Sequence, residues 1–354
     1  MNGLLPRHNI NINNLRLETT CDRNEIITSP NSPSLIEYLR NMRIQLFQMT
    51  QIYPASNITR ISHVLNKYEH LTTPVPGPGM EKGVGGVGGI GNDIYPYELA
   101  EIFALCHLPD ILRSIKTPTM INFSGCAAEH MPNIPQSAII LKQITTLSLS
   151  ALIEEATHQS PKIDLLNFDL SDDNYLEHPP NTNILLGALL VILSRQSVGG
   201  ASIIKLTDLH TRPAIETMVV LSSVYNEVYI LKPTIGAVRP HKYAVCINFK
   251  PLCVHIQKVV ENFKHILTTD KTLCVNAILP DGAVSMHFSK KIEELNILFG
   301  QQQLSFFEHV LARLTAGGIK SDSAITQSNI QKCIHWCEKY HVPISSEYMP
   351  KSLM

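Results

Sequence analysis

Residues 163–206 read IDLLNFDLSDDNYLEHPPNTNILLGALLVILSRQSVGGASIIKL, and this stretch decides the fold. Two short apolar runs, Ile163 to Phe168 and Ala201 to Leu206, have strand length, and the apolar run between them, Asn183 to Arg195, has helix length. With a turn at Gly199-Gly200 they form a strand–helix–strand unit. The alternation continues outward. On one side lie a helix over Tyr97 to Leu112, an apolar strand at Thr119 to Phe123, and a strand and helix up to Thr157. On the other lie a helix over Ala214 to Ser223 and strands at Glu227 to Leu231 and Lys242 to Asn248. Strands alternating with helices imply an α/β chain with a mostly parallel sheet covered on both faces.

The flanks read differently. Residues 1–92 are expected to hold an irregular Asn-rich and Thr-rich arm to residue 31, a helix through Leu35, Leu39, Met42 and Met49 with Ser32 as cap and Pro33 at its first position, and a short helix over Ile58 to Glu69. PVPGPGMEKGVGGVGGIGN, residues 74–92, is too rich in Gly and Pro for a packed element, and Gly83, Gly85 and Gly88 in GxGxxG spacing read as loop because no strand precedes them. Residues 93–250 hold the α/β region, and 251–354 read as mainly helical, with FFEHVLARL and IQKCIHWCEKY as the clearest pieces.

Composition bounds the function. The 354 residues are 44% hydrophobic and 17% charged, with 29 Lys+Arg against 30 Asp+Glu, which excludes a disordered chain and a strongly basic one. Any grip on nucleic acid must come from a local patch. The longest apolar run, Ile184 to Leu193, is too short to span a membrane, so no membrane partner is expected. Eight scattered cysteines and an N-terminus without an apolar signal core read as an intracellular, reducing setting, cytoplasmic rather than nuclear. Cys333, Cys337 and His341 cannot share a metal from one straight helix, so Ile330, Cys333, Ile334 and Cys337 read as a buried stripe flanked by Trp336. Cys246 and Cys253 read as core and Asp172-Asp173 as a solvated loop; no metal site is expected.

In such a sheet, chemistry belongs at the carboxyl ends of the strands. Those ends read NFSGCAAEH (Asn122 to His130), LLNFDLSDD (Leu165 to Asp173), GGASIIKLTD (Gly199 to Asp208), and VYILKPTIGAVRPHKYAVCINF (Val228 to Phe249). The last three, in this order and spacing, resemble the FtsJ-like ribose 2'-O-methyltransferases over about Tyr95 to Phe249, most of all the cap-modifying members of large DNA viruses and eukaryotic nuclei. The matches are Asp169, Lys205, Lys232-Pro233 and Tyr243.

The resemblance implies a Rossmann-like methyltransferase fold, S-adenosylmethionine as cofactor, and RNA, capped mRNA above all, as substrate. The family's Lys-Asp-Lys-Glu tetrad falls on Glu98, Asp169, Lys205 and His241, so both ends depart from it; Lys82 or Lys67 are alternatives for the first position. Methyl transfer to a ribose hydroxyl wants an amine that can lose its proton beside the acceptor. Glu98 and Asp169 against Lys205 leave one negative charge unless His241 is protonated, and an ammonium so held is a poor base. Impaired chemistry is therefore the expected direction. Ser124, Gly125, Ala127, Ala128 and Glu129 stand where the family has its cofactor turn, while SAIILKQITTLSLS offers no acidic residue for the cofactor's ribose. Lys232, Arg239 and Lys242 stand where the family's loop meets RNA. Three readings follow: a diverged, impaired member that binds RNA or a partner such as a polymerase subunit; an active enzyme with a rebuilt tetrad; and a scaffold used only for interaction.

Overall fold

The computed structural model describes residues 2–8, 10, 15, 17–20, 32–53, 61, 64–72, 86–88, 93–125, 131, 134–145, 147–158, 162–171, 182–207, 209–237, 239–250, 256–269, 274–316, 323–345 and 348. In chain order its elements are β1 (Asn2–Leu4), β2 (Glu18–Thr20), α1 (Pro33–Ile52), a 3-10 turn at Glu69–Leu71, α2 (Tyr95–Leu105), α3 (Leu108–Arg113), β3 (Thr119–Phe123), β4 (Ile139–Gln143), α4 (Leu149–Thr157), β5 (Ile163–Asp169), α5 (Thr182–Arg195), β6 (Gln196–Leu206), α6 (Arg212–Val224), β7 (Tyr225–Leu231), β8 (Lys242–Phe249), α7 (Ile256–Thr269), β9 (Cys274–Ala277), α8 (Met286–Thr315) and α9 (Ser323–Tyr340).

The main sheet is seven-stranded in the order β1-β7-β8-β6-β5-β3-β4. β4, β3, β5 and β6 pair in parallel. β8 is wedged antiparallel between β6 and β7, and β1 covers the outer edge of β7. The chain steps outward from β3 to β4, then crosses back to β5 and β6, so the strand order reverses between β3 and β5. That reversal opens a crevice at the carboxyl ends of these strands. Parallel strands, an antiparallel wedge and helices on both faces make this the expected Rossmann-like methyltransferase fold, with helical segments appended at both ends.

Period-two alternation builds the two cores. Ile121, Leu166, Ile204, Ile230 and Ala244 pack into one with residues of α4, α5 and α6. Met120, Leu165, Ile203, Leu231 and Tyr243, each one residue away, pack into the other with Tyr95, Leu99 and Phe103 of α2. The stripe read on α9 is buried: Ile330, Cys333, Trp336 and Cys337 cluster with Tyr97 and Ala100 of α2. Burial pushes the Cys333 and Cys337 thiols up to about 12, and His335 lies exposed.

Four expectations are corrected. The helix over Tyr97 to Leu112 is two helices, because Pro109 has no amide to bond the Leu105 carbonyl and His107 takes the left-handed conformation at φ 52°. The Gly199-Gly200 turn is absorbed into β6, with Gly199 at φ 81° where the register to β5 shifts. The arm is not irregular throughout, since β1 joins the main sheet and β2 pairs with β9 in a two-stranded sheet. Ser32 flanks α1 without a side-chain cap bond. Of the expected helix at Ile58 to Glu69, Ile61, Val64 and Leu65 are helical among the described residues and Glu69 opens the 3-10 turn, while most of the Gly/Pro stretch, Gly83 and Gly85 included, lies outside the described residues, as do Cys253, Asp172 and Asp173. Gly88 packs on the Tyr97 ring, where a Cβ would sit 2.3 Å from it.

Candidate active site

The alternation that sends Met120, Leu165 and Ile203 toward α2 sends Asn122, Asn167, Asp169 and Lys205 there too, further along the same strands. Register aligns them in two rungs. Gln143, Asn122 and Asn167 are lateral neighbours across β4, β3 and β5. Asp169, Lys205, Tyr243 and Leu231 are neighbours across β5, β6, β8 and β7. The first turn of α2 covers both rungs with Tyr95 and Glu98.

On the second rung, Lys205 Nζ lies 3.4 Å from Asp169 Oδ2 and 3.7 Å from Glu98 Oε2, and 4.7 Å from the Tyr95 ring centroid. Asp169 is oriented by Ser171, whose amide and hydroxyl both donate to Oδ1. Glu98 accepts a short hydrogen bond from the Tyr243 hydroxyl. Burial pushes the Glu98 carboxyl up, against the pull of Lys205, Tyr243 and Arg239. Glu98, Asp169 and Lys205 thus meet at one place. His241, just before β8, is buried beside them, and burial with the nearby cations Lys205, Arg239, Lys232 and Lys242 lowers it to about 3. It is neutral near pH 7 and supplies no balancing charge.

The first rung is a buried amide ladder. Tyr95 donates its hydroxyl to Asn167 Oδ1, Asn167 donates to Asn122 Oδ1, Asn122 donates to Gln143 Oε1, and Gln143 donates to the Ser124 carbonyl. The Ser124 hydroxyl also turns inward, to Asn122 Oδ1. Ser124 therefore serves the floor of the crevice rather than its opening, and Gln143 ends the strand where an acid was sought. Gly125 is exposed, and among the described residues a Cβ built on it meets nothing within 4 Å. That open backbone at the switch point suits the close approach of a nucleotide cofactor. Ala127, Ala128 and Glu129 lie outside the described residues, as does Lys82, while Lys67 is exposed.

The loop after β7 is fastened down on α2. Glu101, one turn beyond Glu98, accepts from the Thr234 amide and hydroxyl with Oε1, and from Trp336 Nε1 with Oε2. Gly236 passes so near that a Cβ there would sit 2.4 Å from Glu98 Oε1. Lys232 and Lys242, which the sequence places at an RNA-contacting edge, are buried, and Arg239 is half-buried. Sequence reasoning missed Tyr95, Glu101 and the amide ladder. The period-two row of polar residues on otherwise apolar strands was the signal that could have found the ladder.

No protein-family model matches the chain, and no curated protein matches it. Among solved structures it is similar to a Plasmodium falciparum protein described as a ribosomal RNA methyltransferase, at 16% identity and TM-score 0.33, over 45% of this chain and 99% of that one. It is also similar to a Haemonchus contortus phosphoethanolamine N-methyltransferase with bound S-adenosylhomocysteine, at 9% identity and TM-score 0.28, over 44% of this chain and 39% of that one. The strand order, not these likenesses, defines the fold.

Proposed function

We propose that the chain is a diverged cap 2'-O-methyltransferase-type domain that binds S-adenosylmethionine and RNA, or a protein partner such as a polymerase subunit, and transfers the methyl group poorly. The observation that carries this reading is the pairing of Lys205 with two carboxylates, Glu98 and Asp169, at the strand ends beside the crevice. Bound S-adenosylmethionine would supply an electrophilic methyl group there. Gly125 and the following Ala127, Ala128 and Glu129 are the residues that would hold it, and Arg239 would meet phosphate. Two carboxylates hold the Lys205 amine in place by ion pairs that an incoming hydroxyl must displace, which is the physical reason for slow transfer.

The second reading, an active enzyme with a rebuilt site, is favoured by one observation: a further buried amine, Lys232, within the field of Glu98. Calorimetry with S-adenosylmethionine, followed by methylation of capped RNA, separates the two. Binding with turnover at least about 100-fold below an efficient enzyme's usual rate supports the first. Rapid transfer supports the second, and absence of binding removes both.

A further inference from the structure

Tyr95 opens α2, is only 3% exposed, and is held at both ends. Its backbone amide donates to Asp93 Oδ1 at 3.1 Å, and its hydroxyl donates to Asn167 Oδ1 at 3.0 Å. The direction of the second bond is set from a distance. The amide ladder ends on the Ser124 carbonyl, which can only accept, so Gln143 turns its nitrogen there and its oxygen toward Asn122. The same constraint passes from Asn122 to Asn167, whose nitrogen lies 2.7 Å from Asn122 Oδ1, and leaves Asn167 Oδ1 to receive the phenol. Backbone at one end thus places an aromatic ring at the other.

That ring faces Lys205. Nζ lies 4.7 Å from its centroid, with Asp169 Oδ2 at 3.4 Å and Glu98 Oε2 at 3.7 Å. Tyr243, itself bonded to Glu98, stacks on the same ring with centroids 6.3 Å apart. Carboxylates and ring hold the ammonium in different ways. A charged hydrogen bond is given up when another oxygen takes its place, whereas attraction to the face of a ring uses no acceptor atom and survives that exchange. A phenol that donates its proton also keeps more electron density in its ring, which strengthens the hold.

Resting on the methyltransferase reading above, we propose that Tyr95 is a positioning residue of this site: its ring, set by the amide ladder, keeps Lys205 Nζ at the strand ends while an acceptor hydroxyl displaces a carboxylate from it. Lys205 meets the hydroxyl, and Tyr95 acts through Lys205. Because the ladder is anchored on the backbone beside Gly125, the place of the amine is fixed relative to the strand end assigned to the cofactor. Tyr95 therefore governs turnover and leaves cofactor affinity alone.

The test compares the full chain with Tyr95→Leu, which removes the ring, and with Tyr95→Phe, which keeps the ring and its volume but cuts it from the ladder. Gln143→Met cuts the ladder at its far end, at a half-buried position. The direct readout is the lysine Cε–Hε NMR spectrum, with the Lys205 signal assigned through Lys205→Arg. Ring current should set the Lys205 Hε protons upfield of the other lysines in the parent chain. Tyr95→Leu should return them to the common position, and Tyr95→Phe and Gln143→Met should each reduce the displacement, so the point is tested even where Tyr95→Leu fails to fold. Transfer to capped RNA should fall roughly 10-fold in Tyr95→Leu and by less in the other two, with KM and the affinity for S-adenosylhomocysteine unchanged. A Lys205 signal that stays in place in Tyr95→Leu, or in both Tyr95→Phe and Gln143→Met, overturns the proposal. So does transfer by Tyr95→Leu at the parent's rate, or a loss of cofactor affinity equal to the loss of transfer. A parent chain that binds S-adenosylhomocysteine and transfers nothing overturns it too, while leaving the cofactor crevice of the methyltransferase reading intact. Lack of S-adenosylhomocysteine binding removes that reading and this inference together.

Discussion

Lys205→Met is expected to lower stability by roughly 3 to 5 kcal/mol near neutral pH, and by much less in mild acid. Glu98 is 1% exposed, and the substitution strips it of the cation 3.7 Å away. The sign follows from the direction of the Glu98 shift. Burial already raises this carboxyl in the folded chain and Lys205 holds it down, so removing Lys205 raises it further. A raised folded-state carboxyl contributes stability at low pH that is lost as pH climbs from the unfolded value of 4.5 through the folded one. Urea denaturation at two pH values measures the difference. Equal losses at both would mean that Glu98 is not the ionised partner of Lys205, and the double variant with Glu98→Gln should recover most of the loss.

Glu101→Ala is expected to cost about 2 to 4 kcal/mol, because three donors, the Thr234 amide and hydroxyl and the Trp336 indole, lose a buried charged acceptor at once. Its consequence reaches further than stability. The loop from Lys232 to His241 loses its fastening on α2, water reaches both side chains, and the shifts that burial caused relax. Lys232 should move from about 7 toward 10.5, and His241 from about 3 toward 6.5. An NMR titration that left both where they are in the parent chain would show that the loop is held by something other than Glu101.

The parallel strands β3, β5 and β6 were legible because each is a short apolar run that the sheet buries, whereas β4 is an exposed edge strand. Asp169 and Lys205 were legible for the complementary reason: each ends such a run with a charge. Glu98 came from setting one helix against a family pattern, and the geometry places it within an ion-pair distance of Lys205. Strands of three or four residues carry no periodicity, so β1, β2 and β9, paired with partners distant in the chain, left no trace. Pro109 did announce the break between α2 and α3 and was read through. The basic segment from Lys232 to Lys242 misled in an instructive way. Charged residues in a loop read as surface, whereas Lys232 and Lys242 are buried, and the bond that fastens this loop to α2 joins Glu101 to Thr234, 133 positions apart. Contacts with segments so distant in the chain are invisible to local pattern, and the burial of these two amines left no local sign.

Whether the opening between β3 and β5 accepts an adenosyl amino-acid cofactor can be measured by titrating the full chain and its Gly125→Leu variant with S-adenosylhomocysteine in a calorimeter. Among the described residues a Cβ at Gly125 meets no neighbour, so the larger side chain should fill the open space beside this strand end and leave the fold's melting unchanged. Saturable one-to-one heat in the parent chain, at a Kd on the order of micromolar, and its loss in the variant is the expected pair of results. No heat from the parent chain, or equal binding by both, would contradict the assignment of this crevice.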